Sequence, residues 1–247
     1  MNYPDAFAVA PAGRGNVQAG KSRSSYSLPG LILILAFANS GLCLAVEPLA
    51  DVAFIPGTIQ PLVAISIGKH SNIACVVDTG STVSVVNSEL SRGAETIGMP
   101  KVTVANGTRS MPLVRLRDVA IGNARLKFVD TLRRNSSWFD AKVKAPCVLG
   151  GSFLDKFTVD LDFDANRLRL YQRGTRLADV ADVSLTPDSI LKGRVSSGHL
   201  VVDAQVGRIT VKALIDTGWI QTAANEPLLH ALGISPDGPQ VETGVSA

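Results

Sequence analysis

The chain has 247 residues, of which 46% are hydrophobic and 18% charged, and its formal net charge is +3. This composition predicts a globular protein with a sizeable core and excludes a largely disordered or collagen-like chain. The lack of Lys/Arg runs and the low aromatic content, 5%, argue against a nucleic-acid partner. The three His and three Cys residues show no zinc-site spacing, so we expect no metal and no cofactor.

The first 45 residues are typical of an export segment. Basic residues precede an apolar run that begins at Leu28, and small residues lead to a predicted cleavage site at Ala45. The alternatives are an uncleaved membrane anchor through residues 28–46 and a buried helix. Pro29 and Asn39 shorten the continuous apolar stretch below the length that a spanning helix needs. We therefore expect an exported protein, periplasmic or extracellular, with membrane anchoring as the alternative.

After the export segment, the sequence predicts the same β-hairpin twice. Strands over 62–68 and 73–77 form the first, and strands over 199–207 and 209–215 form the second. Each hairpin ends in the same tripeptide, Asp78-Thr79-Gly80 in the first copy and Asp216-Thr217-Gly218 in the second. A tripeptide that recurs at the end of matching strands indicates an internal duplication.

The duplication predicts the domain organisation. We expect a first lobe over residues 51–172, a linker over 173–187 and a partial second lobe over 188–247. Each copy is predicted to enter a short helical segment, over 87–92 and 225–233, and the second has an Asn cap and a terminal Gly.

Further strands are predicted between the two copies. A hairpin turns at Asn106-Gly107 and another at Gly122-Asn123. A short buried strand over 146–150 precedes a helical segment over 151–156. A β-hairpin is predicted over 158–171.

Two motifs carry a resemblance to a known family. The segment Val76-Val-Asp-Thr-Gly-Ser-Thr82 and the later segment Val148-Leu-Gly-Gly-Ser-Phe-Leu154 occur in this order. In these two motifs and their order, the chain resembles the retropepsin-like aspartic proteases. The resemblance implies an all-β fold, a closed β-barrel lobe of the acid protease type, with a second, incomplete copy.

The resemblance also implies roles for individual residues. Asp78 and Asp216 would form the catalytic carboxylate pair, and the hairpin at Asn106 and Gly107 would be the flap over a bound peptide. Thr79, by its hydroxyl, would tie the two active loops together, and Ser81 would bond its own carboxylate. The remaining implied positions are the supporting loop residues Gly80, Thr217 and Gly218 and the buried motif Val148, Leu149 and Gly150.

Paired carboxylates suit peptide hydrolysis because two of them close together share one proton. The ionised partner takes a proton from water, and the protonated partner donates to the carbonyl oxygen. The expected activity is therefore an aspartic endopeptidase that acts on a peptide or protein substrate.

The partner of Asp78 stays open at this stage. It is either Asp216 or the Asp78 of a second copy in a homodimer. The second unit has Trp219 where the first has Ser81, and it has no flap hairpin and no apolar-apolar-Gly motif. The alternative function is accordingly a non-catalytic peptide-binding protein or degenerate pseudo-protease, or a truncated gene product.

Cys75 and Cys147 each lie three residues before a motif residue, Asp78 and Gly150. The resemblance implies that their strands are neighbours. A disulfide and two buried free thiols are the two alternatives for this pair.

Overall fold

The computed structural model describes residues 46–104, 107–135, 145–176, 179–180, 193–196, 198–235 and 237–238. The fold is mostly β, with 51% strand and 7% helix, as the sequence predicted. The export segment before Val46, Asn106 of the expected flap and most of the expected linker lie outside the described residues. Within them, no helix is long and apolar enough to cross a bilayer.

A closed barrel of six strands forms the centre of the first unit. Its strands follow the order β2-β3-β10-β4-β9-β8, and a pairing between β8 and β2 closes the circle, while β5 is attached to β8. These strands are β2 (Leu62–Ile67), β3 (His70–Val77), β4 (Ser84–Asn87), β5 (Glu95–Gly98), β8 (Leu113–Ile121), β9 (Ala124–Arg134) and β10 (Cys147–Leu149).

Alternation of side chains explains how the barrel is filled. Val63, Ile65 and Ile67 of β2 face Ile73 and Cys75 of β3, and all five are buried. Residues two apart point to one face of a strand, so this face becomes the barrel interior. The short helix α1 (Gly151–Leu154) follows β10 and packs its buried Phe153 into the same core.

Two smaller sheets accompany the barrel. One has the order β1-β12-β11, from β1 (Ala50–Ala53), β12 (Arg167–Gln172) and β11 (Phe157–Asp162). The other is the hairpin of β6 (Lys101–Val104) and β7 (Gly107–Ser110). This hairpin occupies the chain position at which a flap is expected.

The second unit contains a three-stranded sheet and one helix. The sheet consists of β13 (Gly193–Ser196), β14 (His199–Val206) and β15 (Ile209–Leu214), and α2 (Glu226–Ala231) follows it. Its apolar face corresponds to the barrel interior of the first unit. Val202 is nevertheless the one residue of the described second unit that is buried, at 7% exposure. The second unit therefore has a hairpin like that of the first but far less core.

One predicted element is wrong and another is confirmed. Residues 88–93 form turns rather than the helix expected after Asn87. The Asn87 side chain does accept a hydrogen bond from the Leu90 N–H at 2.8 Å, a contact of the kind that caps a helix. In the second unit, Asn225 caps α2 through the Leu228 N–H at 3.2 Å, as predicted.

Candidate active site

The two Asp-Thr-Gly loops meet at one end of the barrel. Asp78 follows the buried end of β3, and Asp216 follows β15 in the second unit. The carboxyl groups of Asp78 and Asp216 lie close together, because each packs against the glycine of the opposite loop and the charge of Asp216 acts on Asp78. The structure thus brings together, within one chain, the two residues that the duplication singled out.

Reciprocal hydrogen bonds between two threonines hold the loops. The Thr79 N–H donates to Thr217 Oγ1 at 3.2 Å, and the Thr217 N–H donates to Thr79 Oγ1 at 3.1 Å. Each hydroxyl then donates across to the other unit, Thr79 to the Ile215 carbonyl at 2.8 Å and Thr217 to the Val77 carbonyl at 2.7 Å. Because each hydroxyl both accepts and donates, four hydrogen bonds fix the loops with approximate twofold symmetry.

The glycines of the two loops leave room for the carboxylates. A Cβ atom on Gly80 would overlap the carboxyl group of Asp216, and one on Gly218 would overlap that of Asp78. Each glycine N–H also donates to the aspartate of its own loop, Gly80 to Asp78 at 2.8 Å and Gly218 to Asp216 at 2.9 Å. A side chain at either position would therefore push the two carboxylates apart.

The surroundings of Asp78 favour its protonated form. Burial, followed by the charge of Asp216 and a hydrogen bond with that residue, raises the pKa of Asp78 from 3.8 to about 7. Hydrogen bonds from the backbone of Gly80 and Ser81 act in the opposite direction and are outweighed. Two carboxylates in contact titrate as a pair, so one proton stays in this site up to near-neutral pH.

Strand β10 supports the Asp78 loop from behind. It runs parallel to β3, with Val148 opposite Val76 and Leu149 opposite Val77. The Asp78 N–H donates to the Leu149 carbonyl at 3.0 Å. A Cβ atom on Gly150 would come within 2.6 Å of the Ser81 carbonyl oxygen, so this position admits only glycine.

Two serines, the buried Ser84 and the partly buried Ser152, complete this support. The Gly150 N–H donates to Ser84 Oγ, and the Ser84 N–H donates to Ser152 Oγ, both at 3.0 Å. The two hydroxyls also bond each other at 3.0 Å. Ser152 is thus a structural residue that ties β10 to β4. The role of Ser84 was not predicted. The one feature of the sequence that marks this residue is its position, at the start of a strand after the Asp-Thr-Gly-Ser segment.

A disulfide joins Cys75 and Cys147. The two residues are register partners on the adjacent strands β3 and β10, with their Cα atoms 4.8 Å apart. Both are buried, three residues before Asp78 and Gly150 respectively. The bond therefore fixes β3 and β10 just before each strand enters the site.

Three expected features of the site differ from the expectation or are only partly described: the flap residues, the Ser81 hydroxyl and the residue at position 219. Gly107 is exposed at the start of β7, and its neighbour Asn106 lies outside the described residues. Ser81 Oγ donates to the Val83 carbonyl at 2.8 Å rather than to Asp78, so the expected side-chain bond is replaced by one from its backbone. Trp219, the counterpart of Ser81, is half-buried.

Gln60 was missed by the sequence reasoning. Its side-chain amide donates to the Gly218 carbonyl at 3.3 Å and so links the segment before β2 to the second active loop. No local pattern marks a residue that contacts a partner 158 positions later. Across the described ranges, no group of three or more His, Cys, Asp or Glu side chains is arranged to hold a metal ion.

Comparisons with known proteins agree with the site. Residues 63–153 match the profile of a family described as aspartyl protease. A structural match is a retropepsin-like aspartic protease from Rickettsia conorii, with 17% identity and a TM-score of 0.36, over 49% of this chain and 89% of that one.

A second structural match is the aspartic proteinase from Irpex lacteus, with 15% identity and a TM-score of 0.34, over 53% of this chain and 48% of that one. The match thus spans about half of the fungal enzyme. A search of curated proteins gave no match. The matched residues 63–153, which include the Asp78 loop and the Gly150 motif, are thus similar to the aspartyl protease family.

Proposed function

We propose that this protein is an aspartic endopeptidase whose catalytic pair is Asp78 and Asp216 of the same chain. The contact between their carboxyl groups, at the end of two loops locked by Thr79 and Thr217, carries the proposal. A water molecule held between the carboxylates would lose a proton to the ionised partner as it attacks the peptide carbonyl. The protonated partner would donate to the carbonyl oxygen.

The arrangement supplies what this chemistry requires. The raised pKa of Asp78 keeps one proton in the pair when most surface carboxylates have lost theirs. The loop hydrogen bonds hold both carboxylates before substrate arrives, so little reorganisation is needed in the transition state. The exposed β6–β7 hairpin is the part of the described chain that we propose to close over a bound peptide.

The test is cleavage of a peptide library by the purified protein from about pH 3.5 to 7.5, with and without pepstatin. Asp78→Asn and Asp216→Asn should each abolish cleavage, and a mixture of the two variants should stay inactive. If Asp78 instead pairs with Asp78 of a second copy, Asp216→Asn should retain activity. The activity of Asp216→Asn therefore separates a catalytic pair within one chain from a homodimeric one.

A non-catalytic peptide-binding function is the second candidate, and the second unit favours it. Among its described residues only Val202 is buried, and Trp219 replaces the small residue of the first loop. A folded protein that binds peptides but cleaves none at any pH would establish this alternative.

We also propose export to an oxidising compartment. The buried Cys75–Cys147 disulfide supports this, because disulfides persist mainly in exported proteins. Cell fractionation and N-terminal sequencing test it: processing after Ala45 indicates a signal peptide, and an intact N-terminus in the membrane fraction indicates an anchor.

A further inference from the structure

The β8–β9 hairpin carries a concentration of positive charge. Residues 113–134 include six basic and two acidic side chains, a net charge of +4 that exceeds the +3 of the whole chain. Arg117, Arg125 and Lys127 are exposed on it. These three residues, with Phe128, are called the hairpin patch below.

Phe128 gives the hairpin patch an apolar centre. Its ring is 41% exposed, although a phenylalanine normally packs into a core. The guanidinium carbon of Arg117 lies 5.0 Å from the ring centroid and the Lys127 ammonium 5.4 Å from it. Arg115 also approaches the ring, at 5.9 Å, but its charge is paired with Asp130. An exposed ring among cations suits the boundary between lipid headgroups and acyl chains.

The tip of this hairpin contacts the place where the N-terminal segment joins the fold. The Asn123 N–H donates to the Leu49 carbonyl at 2.9 Å, and a Cβ atom on Gly122 would lie 3.3 Å from that of Ala50. Val46 and Leu49, on this connection, are each 37% exposed. Leu49 and Ala50 therefore lie beside the tip of the basic hairpin.

We propose that the hairpin patch, together with Val46 and Leu49, is a docking surface for an anionic phospholipid bilayer. Lysine and arginine bind anionic headgroups, while Phe128 and the two exposed aliphatic side chains enter the interface. A nucleic acid would match the charge but not Val46 and Leu49, the exposed aliphatic residues of the N-terminal connection. The bilayer is accordingly the partner that accounts for both features.

Docking in this way leaves the carboxylate pair accessible. Thr131, at the far end of β9, pairs with Ser84, which supports the active loops. Asn123 lies eight residues before Thr131, a span of about 27 Å in an extended strand. The tip of the hairpin is thus well separated from the site, and Phe128, the patch residue of β9 nearest to Thr131, lies about 10 Å before it along the strand.

The experiment is a vesicle flotation assay on the protein that begins at Val46, which lacks the apolar stretch. Every buried core residue lies at Ala50 or later, so this form contains all the described elements. Vesicles that contain phosphatidylglycerol are compared with pure phosphatidylcholine vesicles, at low and high salt. We expect binding to the anionic vesicles only, and weaker binding at high salt.

The key variant replaces Arg117, Arg125 and Lys127 by Gln. Each basic residue near an anionic surface contributes about fivefold to partitioning, so the triple variant should lose about 100-fold. A matched control replaces three exposed basic residues elsewhere, Arg92, Lys156 and Arg208, and should bind as the unaltered protein does.

The thermal unfolding midpoint of each variant is measured to show that it is folded. Equal loss in both triple variants would overturn the proposal, because net charge rather than this surface would then govern binding. Equal binding to neutral vesicles, no vesicle binding, or binding to an oligonucleotide in place of vesicles would overturn it too. Each of these results is independent of peptide cleavage, so the proposal and the protease function can fail separately.

Discussion

The pH dependence of folding stability is the sharpest consequence of the carboxylate pair. The pKa of Asp78 rises from 3.8 to about 7 on folding, chiefly through burial and the nearby charge of Asp216. Between these pH values the folded state binds more protons than the unfolded state, so the free energy of unfolding falls as pH rises. Below pH 3.8 the aspartate is protonated in both states, and it does not contribute.

The magnitude follows from the shift. The pKa changes by about three units, and each unit corresponds to 1.36 kcal/mol, so Asp78 destabilises the fold by up to about 4 kcal/mol above pH 7. Asp78→Asn removes the charge and keeps an oxygen that can accept from the Gly80 N–H. We expect the variant to be more stable than the unaltered protein by up to about 4 kcal/mol at about pH 8 and equally stable at about pH 3.5.

Urea unfolding at a series of pH values measures this difference. Asp164→Asn, on an exposed turn, is the matched control and should follow the curve of the unaltered protein. The double variant Asp78→Asn with Asp216→Asn should gain less than the sum of the two single gains, because either substitution alone removes their repulsion. A stability difference that does not change with pH, or strictly additive gains, would refute the reasoning.

Three further substitutions test the architecture of the site. Thr79→Val should lower the free energy of unfolding in urea by about 1 to 3 kcal/mol and remove most of the cleavage activity, because the Ile215 carbonyl and the Thr217 N–H lose their hydrogen-bond partner. Thr79→Ser keeps the hydroxyl and should retain both stability and activity. Gly80→Ala should abolish cleavage because its methyl group overlaps the opposite carboxylate, while Gly98→Ala, where the space is open, should not. Replacing both Cys75 and Cys147 by Ser should lower the free energy of unfolding by about 4 kcal/mol, since the bond closes a loop of 72 residues. An unchanged free energy of unfolding, with both thiols free to alkylate in the unaltered protein, would show that no disulfide forms.

The central features of this protein could be predicted because they depend on local patterns that occur twice. Apolar strands that end in Asp-Thr-Gly at 78–80 and 216–218 identify the two loops, and the duplication makes their meeting one of the two pairings that the sequence allows. The two apolar runs of β2 and β3, separated by a polar turn, predict the hairpin that the structure contains. These inferences need no knowledge of distant contacts.

Features that depend on distant contacts could not be predicted. β1 is a four-residue strand that pairs with β12, more than a hundred positions later, and its sequence has no strand signal of its own. The turn after Asn87 looks like the start of a helix because the same Asn cap serves both. A distant residue stabilises the turn instead. Arg133 Nη2 donates to the carbonyls of Ser91 and Ala94.

The active loops also favour one of the two proposed catalytic pairings. Asp216 and Thr217 occupy the contacts that Asp78 and Thr79 of a second copy would need, so a homodimer through these loops requires the second unit to leave. Its release breaks the four threonine hydrogen bonds, at about 1 kcal/mol each, and exposes little core because only Val202 is buried among its described residues.

Because release of the second unit costs little free energy, the balance between the two pairings depends on protein concentration. Cleavage by a pair within one chain is first order in protein, whereas cleavage by a homodimer is second order at low concentration. Specific activity that stays constant on dilution, together with an inactive Asp216→Asn variant, is therefore what the geometry of the Asp78–Asp216 pair requires.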